Sequence, residues 1–193
     1  LYEMVATLDC GMPAEDGGDS TDEYRTCFGI RSLSDNGSGR LALNGRIIFL
    51  RGEANCAEYP ETGHSPMMIS EWKEILLKYR SYGINCVRFH SHCEPEAAFA
   101  AADELGMLLQ PELSHWDPKD AFGTEESYRY YRAELAGILK TYANHPSFVM
   151  LTLGNELQAQ GKGRERMREL SPVCGDTLTK IIHRQITLMM QRW

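Results

Sequence analysis

The sequence predicts an α/β fold built on a parallel sheet, and three observations carry that expectation. Short apolar runs alternate with segments of helical period after Asn44, the runs are nearly continuous rather than alternating with polar residues, and turn chemistry marks each exchange. A different texture precedes the alternation. Tyr2 to Leu8 and Tyr24 to Ser32 are β-type runs, separated by the acidic, glycine-rich stretch Gly11 to Glu23 and followed by the turn sequence Ser34-Asp35-Asn36-Gly37-Ser38-Gly39. These residues read as the end of an antiparallel sheet, too short to stand alone, since a β-sandwich needs about seven strands and about 100 residues. Arg40-Leu41-Ala42-Leu43 and Arg46-Ile47-Ile48-Phe49-Leu50 then flank Asn44-Gly45. Asn-Gly favours a two-residue type I′ hairpin, because both central residues take positive φ, and a domain boundary is expected there.

Beyond the hairpin each element has its own signal. Ser70 is expected to cap a helix with Trp72, Ile75, Leu76 and Tyr79 on one face, ended by Gly83 in a left-handed conformation. Ile84 to Phe89 reads as a buried strand. Pro95 suits a first helical turn, Ala97, Ala98, Phe99, Ala101, Ala102 and Leu105 form a small-residue packing face, and Gly106 closes that helix. Asp103 and Glu104 read as its solvated end. Met107 to Gln110 is the next strand, and Glu125 to Tyr142 carries Tyr128, Tyr131, Leu135, Ile138, Leu139 and Tyr142 at helical spacing. His145-Pro146 forces an exit, Phe148 to Leu153 is a further apolar strand, and Arg164 to Leu170 begins a fourth helix.

Regular βα units of this kind make either a (β/α)8 barrel or an open doubly wound sheet. A barrel takes about 250 residues, and Asn44 to Trp193 offers 150 with four convincing strands. The chain is therefore expected to hold at most half a TIM barrel, about four βα units, preceded by the remnant of a β domain.

Composition narrows the function. The chain has 193 residues, 42% of them apolar, with 20 Lys plus Arg against 27 Asp plus Glu and a formal net charge of −7. That charge repels a phosphate backbone, so nucleic acid is not an expected partner. No apolar run reaches the roughly 18 residues that span a bilayer, and no basic-then-apolar leader is visible, so no membrane association is expected. The six cysteines, Cys10, Cys27, Cys56, Cys86, Cys93 and Cys174, include no C-x-x-C pair and read as ordinary thiols. Compartment and oligomeric state stay open.

In parallel α/β folds, reactive groups gather just beyond the C-terminal ends of the strands. Polar and ionisable residues stand there after every strand: Arg51, Gly52, Glu53 and Asn55; Arg88, His90, His92 and Glu94; Glu112, His115, Trp116 and Asp117; Asn155 and Glu156. A carboxyl next to an amide, as in Gly154-Asn155-Glu156, suits glycosidic bond cleavage. That chemistry needs a protonated acid for the leaving oxygen and a second carboxylate facing it. The competing reading of Glu156 is an acid at a helix N-terminus, favoured by the helix dipole.

Five motifs in order then point to one family. Leu43-Asn44-Gly45-Arg46 leading into Phe49-Leu50-Arg51-Gly52, Gly83-Ile84-Asn85-Cys86-Val87-Arg88, Ala102-Asp103-Glu104-Leu105-Gly106-Met107-Leu108, His145-Pro146-Ser147-Phe148 and Gly154-Asn155-Glu156 together resemble family 2 glycoside hydrolases, the β-galactosidase, β-glucuronidase and β-mannosidase group. The resemblance implies a jelly-roll domain and an immunoglobulin-like sandwich ahead of a catalytic (β/α)8 barrel. Residues 1–43 would be the last strands of that sandwich, with Phe28-Gly29-Ile30-Arg31 fitting its closing strand. Residues 44–170 would be the N-terminal half of the barrel, and 171–193 a tail to which no structure is assigned.

The same resemblance implies that Glu156 is the general acid/base of a retaining glycosidase, that Asn155 binds the sugar 2-hydroxyl and that Arg88 supports the catalytic carboxylates. His90 and His92 fall where many members read Ser-His-Tyr-Pro, whereas this chain has His90-Ser91-His92-Cys93-Glu94-Pro95, a departure that counts against the usual galactosidase or glucuronidase specificity. Trp116 is a candidate stacking surface, and Glu112 fits either a substrate contact or a structural ion pair. The family nucleophile is a glutamate on the seventh strand, and nothing after Glu156 supplies one. This polypeptide alone is therefore expected not to hydrolyse glycosides, although the full-length protein would. The substrate is expected to be a carbohydrate, and no cofactor is expected. Two alternatives remain at this stage: a metal-dependent barrel hydrolase using His90 and His92 with Glu112 nearby, and a non-catalytic carbohydrate-binding barrel offering Trp116, Tyr128, Tyr130 and Tyr131.

Overall fold

A computed structural model describes residues 1–9, 21–35, 37 and 39–178, with the side chains of 172–178 left aside. The stretch from Gly11 to Ser20, two residues of the turn after Asp35, both Cys10 and the Cys174 side chain, and the tail beyond residue 178 lie outside the described residues. The chain divides into two compact units, Leu1–Ile30 and Arg31–Trp193.

The first unit is an antiparallel pair, β1 (Tyr2–Asp9) with β2 (Thr21–Phe28), in a register running from Tyr2 opposite Phe28 to Asp9 opposite Thr21. Tyr2 and Phe28 stack with centroids 5.5 Å apart, and Arg25 lies 2.9 Å from Glu23 and 3.7 Å from Glu3.

The second unit opens with a small antiparallel sheet: β3 (Leu33–Asp35), β4 (Leu41–Leu43) and β5 (Arg46–Ile47). Asn44 and Gly45 take φ of 51° and 76°, as the type I′ expectation requires, and the Asn44 side chain accepts from Ser32 N at 2.8 Å. The apolar run after Gly45 behaves differently from its reading. Only Arg46–Ile47 pairs with β4, while Ile47 and Phe49 are 58% and 77% exposed. The first parallel strand is instead the polar β6 (Gly52–Asn55), so Gly52 and Glu53 lie in that strand and not beyond it. Hydrophobicity misplaces the strand because β6 carries the polar Glu53 and Asn55, while the apolar run before it stays outside the parallel sheet.

The parallel sheet has the order β6-β7-β8, with β7 Cys86–Phe89 and β8 Leu108–Gln110. The fourth apolar run does not form a regular strand. It lies beside β8 through parallel bridges, Leu109 to Phe148, Glu112 to Thr152 and Trp116 to Asn155, closed by bonds such as Leu109 N to Ser147 O at 2.7 Å and Asn155 N to His115 O at 2.9 Å. Among the described residues the sheet does not close into a barrel.

Four helices accompany it: α1 (Ile69–Ser81), α2 (Glu96–Leu105), α3 (Glu125–Tyr142) and α4 (Gly161–Leu178). The α1 cap falls on Met68 rather than Ser70, because the Glu71 carboxylate reaches back to accept from Met68 N at 3.1 Å. Pro95 and Gly106 bound α2 as expected, Gly106 at φ 69°, and Thr124 caps α3 by accepting from Ser127 N at 3.1 Å. The core joins Trp72 and Leu76 of α1, Val87 and Phe89 of β7, Phe99 with its neighbouring alanines of α2, and Leu109, Leu135, Phe148, Leu151 and Leu153. Each large side chain so buried contributes about 1.5–3 kcal/mol. Burial also pushes the Cys86 and Cys93 thiols up to about 12, leaving them inert at neutral pH.

Opposite the strand ends, polar groups lock the chain. Asp103, read as a solvated residue, has a side chain only 10% exposed; it accepts from Ser147 N at 2.9 Å and meets His145 Nδ1 at 2.7 Å. Arg31 donates to Phe148 O at 2.7 Å and Ala143 O at 3.0 Å, tying down the same turn. Glu104 pairs with Lys73 of α1.

Gly154 shows how tightly the strand-end layer is packed. It takes φ of 134°, and a Cβ there would lie 2.2 Å from His115 O. Gly154→Ala is expected to lower the free energy of unfolding in urea by about 2 kcal/mol or more. Gly137→Ala, on the open face of α3 with nothing within 4 Å, is expected to raise it by about 0.5–1 kcal/mol. Equal stability of Gly154→Ala and the parent chain would contradict the close approach.

Candidate active site

The residues singled out in the sequence meet at the C-terminal ends of β7, β8 and the Phe148–Leu153 run. Glu112, just past β8, is fully buried, and its carboxylate is matched on both oxygens. Oε1 accepts from Arg88 Nε at 2.6 Å and from Thr152 Oγ1 at 2.8 Å, while Oε2 accepts from Ser91 N at 2.8 Å. Of the two readings left open for Glu112, this geometry is that of the structural ion pair. Arg88, on β7, uses its Nη2 to donate to Asn155 Oδ1 at 2.8 Å. A guanidinium has no acceptor, so the amide atom facing it must be oxygen, which fixes the orientation of Asn155.

Glu156 follows Asn155 with φ of 49°, a left-handed conformation that costs a non-glycine residue of order 1 kcal/mol. Its carboxylate is exposed and accepts from Trp116 Nε1 at 2.9 Å. The helix-terminus reading of Glu156 does not hold, because α4 begins only at Gly161. Trp116 is 57% exposed, and the His90 ring meets it edge to face at 5.0 Å. His90, Trp116 and Glu156 thus form one accessible group, and Arg88, Asn155 and Glu112 the buried support behind it.

His92 turns away from that group. Its Nδ1 lies 2.9 Å from His90 O and its Nε2 2.8 Å from Glu94 Oε1. A backbone carbonyl and an ionised carboxylate only accept, so beside ionised Glu94 both ring nitrogens donate. Burial alone would depress the His92 pKa, but the hydrogen bonds to Glu94 and His90 and the charges of Glu94 and Glu112 outweigh it and hold it above its usual range. Burial likewise works against the Glu94 carboxylate, yet donation from His92, Ser65 and Tyr59 and the His92 charge hold it below its usual range. With both nitrogens engaged, His92 has no lone pair for a metal. Among the described residues no group of three or more His, Cys, Asp or Glu is placed to hold an ion.

Other candidates pack rather than line the site. His115 is 4% exposed, stacked on Tyr131 at 3.9 Å and edge-on to Phe122 at 4.5 Å; burial lowers its pKa against the opposing charge of Asp117. Tyr131 donates to Ser114 O at 3.1 Å, and Tyr128 donates to Glu169 Oε2 at 2.6 Å. A cavity of about 530 Å³ lined by Tyr128, Arg132, Leu135, Glu169 and Leu170 belongs to the helical layer and includes none of the strand-end residues. Three residues with no assigned part in the sequence reading, Tyr59, Ser65 and Thr152, donate side-chain hydroxyls to the polar network. Thr152 sits in an apolar run, where a hydroxyl needs a partner, and that is its only signal; Tyr59 and Ser65 have none.

The motifs resemble family 2 glycoside hydrolases, and comparison with known proteins finds similarity to glycosidases. No protein-family model matches the chain. It is 26% identical over 166 residues to an exo-β-D-glucosaminidase of Amycolatopsis orientalis, covering 77% of this chain and 15% of that protein. It is 29% identical over 131 residues to a β-galactosidase of Thermoanaerobacterium thermosulfurigenes, covering 67% and 18% respectively. In fold it is similar to the β-glucuronidase of Ruminococcus gnavus, with a TM-score of 0.71 at 22% identity over 86% of this chain and 29% of that one. The chain thus spans 15% and 18% of the length of these two curated relatives. No described helix is long and apolar enough to cross a membrane.

The pH dependence of the His92–Glu94 pair follows from the two directions. A raised His92 contributes stability that is complete below its ordinary value of 6.5 and fades as pH rises through its elevated folded value. A lowered Glu94 contributes stability that is complete above its ordinary 4.5 and fades as pH falls through its depressed folded value. The melting-temperature difference between the parent chain and His92→Asn should therefore be largest between about pH 4.5 and 6.5 and shrink at alkaline pH. A difference independent of pH would contradict the charged pair.

Proposed function

We propose that the chain forms the first half of the catalytic barrel of a β-glycoside hydrolase, with Glu156 as its general acid/base. On this reading residues 1–43 close an immunoglobulin-like sandwich, 44–170 are the N-terminal half of a (β/α)8 barrel, and 171–193 are a tail to which no structure is assigned. The observation that carries the proposal is the Glu156 carboxylate, held at a strand end by Trp116 Nε1 at 2.9 Å beside an Asn155 amide whose oxygen is already taken by Arg88. Similarity to an exo-β-D-glucosaminidase and a β-galactosidase supports the class of reaction.

The chemistry follows from the arrangement. Protonated Glu156 donates to the bridging oxygen as the glycosidic bond breaks, and its carboxylate then takes a proton from the attacking water. In the retaining scheme a second carboxylate stands about 5–5.5 Å away and serves as nucleophile, on a later strand of the whole protein. With Asn155 Oδ1 committed, its Nδ2 is the group that donates to a sugar hydroxyl next to the anomeric carbon. His90 and Trp116 give an edge and a face against which a sugar ring can pack. Arg88 and Glu112 touch no substrate; they hold Asn155. The engagement of both His92 nitrogens argues against a metal-dependent reaction through the His90 and His92 pair.

In the full-length protein, Glu156→Gln is expected to lower kcat/KM on unactivated β-glycosides by about 10² to 10⁴. The loss should be smaller on p-nitrophenyl glycosides, whose leaving group departs without a proton. Unchanged turnover of both kinds of substrate would remove Glu156 from the reaction.

A further inference from the structure

Glu94 has no part in the chemistry above, yet it is 2% exposed and accepts from three side chains in two segments. Tyr59 donates its hydroxyl to Oε1 at 2.8 Å and Ser65 donates to Oε2, both from the loop between β6 and α1. His92, from the turn between β7 and α2, donates Nε2–H to Oε1 at 2.8 Å. A carboxylate is buried this deeply only when its lone pairs are matched, so the loop and the turn are locked in one arrangement. The lock reaches the accessible group. His92 passes it through Nδ1–H to the backbone oxygen of His90, whose ring stands 5.0 Å from Trp116, the donor to Glu156. The turn is also held from its other side, where Ser91 takes φ of 59° and gives its N–H to Glu112.

We propose that Glu94 is a positioning residue for substrate selection: it fixes the β6–α1 loop and, through His92, the His90 and Trp116 surface on which the sugar packs. This rests on the assignment of Glu156 above. The charged or titratable groups facing the cluster from other elements are Glu112 beyond β8 and Tyr79 of α1. On this reading the sugar packs on His90 and Trp116 through its ring rather than at the bond that breaks, so displacing them is expected to weaken binding more than it slows bond cleavage.

The test uses the full-length protein, with Glu94→Gln and Tyr59→Phe assayed on p-nitrophenyl β-glycosides, and ¹⁵N-labelled indole and imidazole followed by NMR. Glu94→Gln is expected to raise KM by about tenfold with kcat within about threefold, to move the Trp116 indole resonance and to remove one ring proton from His92 at neutral pH. Tyr59→Phe, which keeps the Glu94 charge and supplies the measurement if Glu94→Gln does not fold, is expected to raise KM by about threefold with His92 still doubly protonated. A lower melting temperature with unchanged KM and an unmoved Trp116 resonance in both variants would overturn the proposal, as would a loss confined to kcat. If the parent protein hydrolyses no β-glycoside, the Glu156 reading fails by itself. The Trp116 and His92 resonances then still decide whether Glu94 sets the turn, and an unmoved spectrum overturns it.

Discussion

The burial of one charge, the Glu112 carboxylate, constrains everything at the strand ends. Taking a carboxylate out of water costs several kcal/mol unless its lone pairs are met. The three groups that meet them come from β7, from the turn after it and from the Phe148–Leu153 run. A single buried ion therefore sets the mutual position of three separate segments. Arg88 extends that order outward, since the guanidinium nitrogen left over orients Asn155, and Asn155 precedes Glu156 in the chain.

The two ends of the parallel layer divide the labour in a way their chemistry explains. At one end Arg31, Asp103, His145 and Ser147 tie backbone to side chain, and Asp103 is nearly as buried as the core. At the other, Glu112 and Glu94 lie beneath an accessible surface of His90, Trp116 and Glu156. The first arrangement ties the turn after α3 to α2 and to Arg31. The second holds exposed groups still, and Glu156 pays in backbone conformation, with φ of 49°, for its place on the rim.

Much of this was legible in the sequence where the signal is local. Asn44-Gly45, Gly83, Gly106 and the bounds of α3 depend on backbone preferences that act over a few residues, and all fall where expected. Hydrophobicity misses the first parallel strand because Gly52-Glu53-Ala54-Asn55 is polar, while the more apolar Ile47 and Phe49 are exposed. Apolar content marks strands buried on both faces and is silent about polar ones. The strand-end residues were legible as types, since Arg88, Glu112, Asn155 and Glu156 all stand where reactive groups gather. Their pairing was not, because a contact such as Trp116 to Glu156 spans 40 residues and no periodicity encodes it. Asp103 looked solvated for the same reason: the His145 and Ser147 groups that bury it lie 42 and 44 residues away.

The central claim is that Glu156 is a proton donor aimed at a bridging sugar oxygen from a rim ordered by Glu112. A crystal structure of the full-length protein with a non-hydrolysable thioglycoside tests it most directly. The account predicts a Glu156 carboxylate oxygen about 3 Å from the bridging sulfur and the Asn155 amide nitrogen within hydrogen-bonding reach of a ring hydroxyl. A thioglycoside bound elsewhere, or bound here with another residue facing the sulfur, would contradict it.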